Sequence, residues 1–251
     1  MPRISERFKD DFINKGQSHI LQYNYQDRLI INMGYSYHYN SIGGAIINNT
    51  IASNSYSIRF NFESAGNIMY ALSKATNIRK NNDGEYAILG IPYAQYVKGE
   101  FDFSKNIRID HRNSFAFHIG MGIAVPYGNA KTIPFEKQYF SGGANSVRGW
   151  TVRDLGPGSF VRDENTNLLD QSGDIKLDAS IEYRSKLFWK FQGAIFVDAG
   201  NIWTIRDYDN QPGGVFKFDK FYKQIAVAYG LGLRLDLDFF ILRFDGGMTV
   251  S

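Results

Sequence analysis

The sequence predicts an all-β fold, part of a transmembrane antiparallel up-and-down β-barrel with a long infolded loop. Three observations predict it. Segment after segment alternates apolar with polar residues, the period of a β-strand whose two faces meet different surroundings. Aromatic side chains make up 16% of the 251 residues, with 16 Tyr and 20 Phe, a bias that suits strands and interfacial belts. One long connection, rich in Gly, interrupts the alternation.

In chain order, residues 1–18 are polar and irregular. Alternation begins at Leu21, Tyr23 and Tyr25, and continues with Ile31, Met33, Tyr35, Tyr37 and Tyr39 against Asn32, Gly34, Ser36, His38 and Asn40. Tyr56, Ile58, Phe60 and Phe62 form the next apolar row, opposite Ser57, Arg59, Asn61 and Glu63. Residues 67–77 lose the period of two, and Ile68, Met69, Leu72 and Ala75 fit a short helix within a loop. Phe101, Phe103, Ile107 and Ile109 then oppose Lys98, Glu100, Asp102 and Arg108, and Phe115 to Val125 alternates with Ala116, His118, Gly120, Gly122 and Ala124. Beyond the loop, Ile175, Leu177, Ala179, Ile181 and Tyr183 face away from Asp174, Lys176, Asp178, Ser180, Glu182 and Arg184. Strands over Phe191–Trp203, 224–236 and 240–250 complete about nine, each near the roughly 9–11 residues of a tilted membrane strand.

Composition narrows the function. No cysteine is present, which removes disulfides and thiolate metal sites, and a net charge of +3 without a basic run gives no footing for nucleic acid. No stretch reaches the roughly 18 apolar residues of a spanning helix. A mean hydropathy of −0.32 does not exclude a membrane barrel, because every second strand residue faces a polar lumen. The competing architecture is a soluble β-sandwich. The density of Phe, Tyr, Leu and Ile in every apolar row argues against it, as do the mixed charge, Gly and Ala of the polar rows. Aromatics near strand ends (Tyr39, Tyr127, Tyr183, Trp189 and Trp203) resemble interfacial girdles, and tight turns at one rim with long loops at the other complete the barrel pattern. Met1-Pro2-Arg3-Ile4-Ser5-Glu6-Arg7 leads into no apolar core, so it is not a secretory signal peptide.

The loop spans 127–173, and its centre reads Phe140-Ser141-Gly142-Gly143-Ala144-Asn145-Ser146 followed by Val147-Arg148-Gly149-Trp150. A connection of that length inside a β-array is more often functional than idle. These residues resemble the sixth extracellular loop of the outer-membrane insertase superfamily (BamA/TamA-like, bacterial surface antigen barrel domain). The resemblance implies a bacterial outer-membrane location and a barrel of sixteen strands with five after this loop. Here about four follow it, so residues 1–251 are read as a partial barrel domain without the last strand or the periplasmic POTRA domains. It implies insertion or translocation of proteins at the outer membrane. The partners would be the lipid bilayer, client outer-membrane or surface proteins, and periplasmic or inner-membrane accessory proteins; no nucleic acid is implied. A passive porin or solute transporter, and a soluble β-sheet binding module, are the alternatives.

Strand parity points Glu182 and Asp198 into the lumen. Two arrangements satisfy parity alone: Arg148 bound to these carboxylates, or an exposed loop arginine above a wet acidic channel. In the family the loop arginine meets acidic residues on the first two strands after the loop, and Glu182 and Asp198 match those positions. The resemblance thus implies a lock of Arg148 with Glu182 and Asp198, with Gly149 allowing the sharp tip and Trp150 packing on the inner wall. Arg153 and Asp154 read as ordinary polar loop residues. His19, His38, His111 and His118 lack metal-ligand spacing, and Asp207-Tyr208-Asp209-Asn210-Gln211-Pro212 puts Pro where a calcium loop needs Gly. No catalytic residue, cofactor or metal site is predicted, and the protein reads as a non-enzyme.

Overall fold

In the computed structural model, residues 28–41, 54–82, 84–161, 171–237 and 239–250 are described. The elements are β1 (Asn32–Asn40), β2 (Asn54–Ala65), α1 (Asn67–Ala75), β3 (Ala87–Ile88), β4 (Ile91–Pro92), β5 (Tyr96–Arg108), β6 (Asn113–Pro126), β7 (Ile175–Lys186), β8 (Phe191–Trp203), β9 (Ala226–Asp236) and β10 (Ile241–Thr249). Eight of the strands form one sheet in the order β1-β2-β5-β6-β7-β8-β9-β10. Neighbours in that order are neighbours in sequence apart from the small β3–β4 pair, so the topology is the up-and-down meander of a barrel wall, left open among the described residues. The ninth expected strand, around Leu21–Tyr25, lies outside the described residues. No described helix is long and apolar enough to cross a membrane, which says nothing of strands.

The chain divides into two compact units, residues 1–35, 62–98 and 124–138, and residues 36–61, 99–123 and 139–251. In the first, the short helix expected over 67–77 is present as α1, closed at its end by the Thr76 hydroxyl donating to Leu72 O at 2.7 Å. Asn129 ties the unit together. Its amide donates to Tyr86 O and Tyr93 O at 2.9 and 3.0 Å, and its Oδ1 accepts the Tyr86 N–H at 2.6 Å. The buried Arg28–Glu85 pair, 3.2 Å apart, adds a charge contact between segments 57 residues apart.

The second unit holds the register that matters for function. Ser180 pairs with Asp198 and Glu182 with Phe196 across β7 and β8, Asp198 with Ala228 across β8 and β9, and Gly232 with Asp245 across β9 and β10. Because cross-strand partners share a face, Glu182, Asp198, Ala228, Gly232 and Asp245 lie on one side of the wall. The other side carries the apolar row, and that row is bare: Ile195 is 56% exposed, Leu231 66% and Phe244 65%. Buried polar residues on one face and exposed large hydrophobics on the other invert a soluble sheet and match a wall between a lumen and lipid.

Antiparallel order places successive connections at alternate ends. The 66–95, 127–174 and 204–225 connections share one end, and 109–112, 187–190 and 237–240 share the other. The expectation of long loops at one rim only needs correction, since the 41–53 connection falls at the end with the tight turns. Trp203 also departs from the expected girdle. Tyr39 and Trp189 are exposed, but Trp203 is fully buried because the 204–225 connection folds Phe216 and Phe221 against its ring.

The base of that connection is pinned by Asp174, whose N–H donates to Trp203 O at 2.8 Å and whose Oδ2 accepts the Ile205 N–H at 3.0 Å. Burial pushes the Asp174 carboxyl up to about 6, against the opposing pull of the Ile205 N–H and Arg206. The folded protein therefore holds this proton more tightly than the unfolded chain. Its contribution to stability is complete below pH about 4 and declines as pH rises through about 6. Replacing Asp174 by Asn should flatten the decline in stability over that window, read as urea midpoints against pH; an unchanged slope would assign the decline elsewhere. The bare apolar row makes a second prediction. Ile195→Arg should cost about 2–4 kcal/mol in lipid vesicles, whereas the same change on a water-exposed sheet stays within about 0.5 kcal/mol.

Candidate functional site

The described part of the long connection is a narrow hairpin-like excursion. Tyr139 bridges Gly173, Ser141 bridges Leu155, and Trp150 O accepts the Gly143 N–H at 2.8 Å. At the tip, Trp150 N–H donates to Val147 O at 3.3 Å, which turns the chain at Arg148-Gly149. Gly142 permits the approach to this turn: it has φ +94°, and a Cβ there would run into Thr151 O.

The tip lies against the inner face of β7–β10. Val147 and Ala228 are fully buried in a small cluster with Leu155, and Trp150 and Ala226 pack on it. Gly149 is held so closely that a Cβ would come within 2.7 Å of Ala228 Cβ and 3.0 Å of Thr249 Cγ2. A Cβ at Gly247 on β10 would sit 2.5 Å from Arg148 O. Small residues on β9 and β10 thus make the space the tip fills, which explains why the inner rows contain Gly and Ala among full charges.

Arg148 is the centre of the site. Its Nε donates to Asp198 Oδ2 at 2.7 Å and its Nη2 to Asp198 Oδ1 at 2.7 Å, a two-pronged match of guanidinium and carboxylate. Its Nη1 donates to Glu182 Oε2 at 2.7 Å, and its backbone N–H reaches Asp198 Oδ2 at 3.1 Å. The guanidinium carbon lies 3.4 Å from the Phe196 ring centroid, a cation–π contact that covers one flat face. Only 6% of the Arg148 side chain is exposed. Burial opposes its charge, but the bonds to Asp198 and Glu182 outweigh that and raise its pKa, so the group is a permanent cation.

The structure brings Val147, Arg148, Gly149, Trp150, Glu182 and Asp198 together, and it adds residues that sequence reasoning missed. Asp245 on β10 offers Arg148 Nη1 a third carboxylate at 3.4 Å, and Arg243 donates to Asp245 at 2.5 Å and to Ala144 O at 2.7 Å. Glu182 is also met by Arg184 at 2.6 Å and by Arg234. The missed residues carried one readable signal, the charge at every second position in Arg243-Phe244-Asp245. Which strand reaches the tip depends on register and loop depth, which no local pattern encodes. Arg153 has its guanidinium 4.9 Å from the Phe140 ring centroid. His118 lies 3.3 Å from Asp178 and 3.9 Å from Asp102, and no cluster of three or more His, Cys, Asp or Glu suited to a metal occurs among the described residues.

The Omp85 superfamily domain matches residues 48–251. Among curated proteins, the outer membrane protein assembly factor BamA of Neisseria meningitidis serogroup B is 35% identical over 99 residues, covering 36% of this chain and 12% of that protein. Among solved structures, the crystal structure of BamA from Haemophilus ducreyi lacking POTRA domains 1-3 aligns with a TM-score of 0.49 at 17% identity, covering 88% of this chain and 51% of that one. The chain therefore spans about half the length of the solved relative and about an eighth of the curated one.

Arg148→Ala would leave Asp198 and Glu182 buried without their shared cation, at a cost of about 3–5 kcal/mol. Arg148→Lys keeps the charge but loses the fork and should recover only part of that stability. Urea unfolding of the three proteins in vesicles reads both effects; an Arg148→Ala midpoint equal to wild type would mean that the pairing contributes nothing net.

Proposed function

The chain belongs to the Omp85 superfamily and is a protein of the bacterial outer membrane, and from this we propose that it forms the membrane wall of a factor that inserts or translocates other proteins there. The observation that carries the reading is the seating of Arg148, with its Asp198 and Glu182 bonds, on the inner face of β7–β10. A plug fixed by a compensated buried charge holds the interior in one arrangement. In this reading Val147, Arg148, Gly149, Trp150, Glu182 and Asp198 are the lock. The wall offers strand edges to a client by backbone pairing, and the work is done by binding, templating and local disturbance of the bilayer, without covalent chemistry or a cofactor. Client outer-membrane or surface proteins and periplasmic or inner-membrane accessory proteins are the partners proposed. Periplasmic POTRA domains in the whole protein belong to the same proposal.

The test uses the full-length protein in lipid vesicles with an unfolded outer-membrane barrel as client, whose folding is read as a heat-modifiable band shift. Wild type should accelerate client folding severalfold over empty vesicles, and Asp198→Asn should lose most of that acceleration while still inserting in the membrane. A passive porin gives the opposite pair of results: no acceleration by wild type, and a rise in small-solute flux in the variant.

A further inference from the structure

The connection between β8 and β9 carries Phe216-Lys217-Phe218-Asp219-Lys220-Phe221-Tyr222-Lys223, a run of four aromatics and three lysines with one acid. The site around Arg148 uses none of it. Phe216 packs edge-on to Trp203 with centroids 5.5 Å apart and stacks on Phe221 at 5.3 Å, and Trp203 Nε1 donates to Gln224 Oε1 at 2.9 Å. The rest of the run faces outward, with Phe218 86% and Tyr222 57% exposed and Lys217, Lys220 and Lys223 exposed.

The run borders an apolar groove. Trp203 is paired in register with Ile175, which is paired with Ile123, so all three belong to the outer, lumen-averted row of the wall. Beside them, Phe216, Phe221 and Phe101 line a groove of about 400 Å³ with almost no polar surface. Gly99, with nothing near its missing side chain, opens part of its floor. The groove lies at the end of the sheet that carries the 127–174 and 204–225 connections. In outer-membrane barrels the longer connections are extracellular, so this end meets the outer leaflet.

We propose that this surface docks a phosphate-bearing anionic lipid of the outer leaflet. An acyl chain lies in the groove against Phe101, Phe216 and Phe221, and Lys217, Lys220 and Lys223 meet the phosphate of the headgroup. Charge complementarity selects the occupant. A belt that merely sits at the interface needs aromatics alone, whereas three lysines within seven residues attract anionic headgroups. The location rests on the outer-membrane assignment and is independent of whether the protein assembles clients.

The test is photolabelling of the unaltered full-length protein in phosphatidylcholine vesicles that contain a trace of acyl-diazirine lipid, either phosphatidylglycerol or phosphatidylcholine. Labelled peptides are read by mass spectrometry. The anionic probe should label the segment 216–223 at least about fivefold more than the zwitterionic one, and the ratio should fall towards one in molar salt, where the Debye length shrinks to about 3 Å. The combined Lys217→Gln, Lys220→Gln and Lys223→Gln variant should bring the ratio to one while apolar labelling persists. Equal labelling of wild type by both probes overturns headgroup recognition, and no labelling of 216–223 by either overturns the lipid-facing groove. Both of these outcomes are read on wild type, so failure of the variant to fold does not remove the test.

Discussion

A permanent cation enclosed in a wall of strands has to be neutralised where it sits, and much of the second unit answers that demand. Moving a guanidinium out of water costs several kcal/mol, recovered only when its donors are matched and its faces are covered. Asp198 takes the fork, Glu182 takes the remaining Nη1, and Phe196 covers one face. The carboxylates bring charges of their own, and Arg184, Arg234 and Arg243 meet them in turn. These four arginines and three carboxylates form one connected network that joins the loop tip to β7, β8, β9 and β10.

The network also dictates the size of its neighbours. A loop tip can come close enough to present both its backbone N–H and its guanidinium to Asp198 only if nothing bulky intervenes. Gly149 against Ala228, and Gly247 against the Arg148 carbonyl, are the close approaches that permit it. The small residues of the inner rows are therefore spacers for the tip, and the aromatic weight of the protein is displaced to the opposite face of the same strands.

Much of this was legible in the sequence, for a specific reason. Strand side chains alternate with a period of two, so the faces of Glu182 and Asp198 follow from counting, and the exposed apolar rows follow with them. The short helix at 67–75 was visible as a break in that count. Legibility failed where position depends on contacts distant in sequence. Asp245 stands 97 residues from Arg148, and only the β9–β10 register brings it to the tip. Trp203 looked like a girdle residue because its strand-end position was readable, while the return of Phe216 and Phe221 over its ring was not. The pairing of Ala87–Ile88 with Ile91–Pro92 is too short to leave a periodic trace.

The seating of Arg148 bears on the order in which the protein can be built. Its partners lie 34, 50 and 97 residues further along the chain, and they form one surface only when β7 to β10 are aligned. Contacts this far apart in sequence carry a high loop-closure cost and form slowly. The tip cannot find its carboxylates before the wall exists, and a wall without the tip leaves Asp198 without the arginine that pairs with it. Docking of the loop therefore follows alignment of the wall, and of the loop's own contacts only those nearest the tip, Gly143 with Trp150 and Ser141 with Leu155, join residues close enough in sequence to close ahead of it.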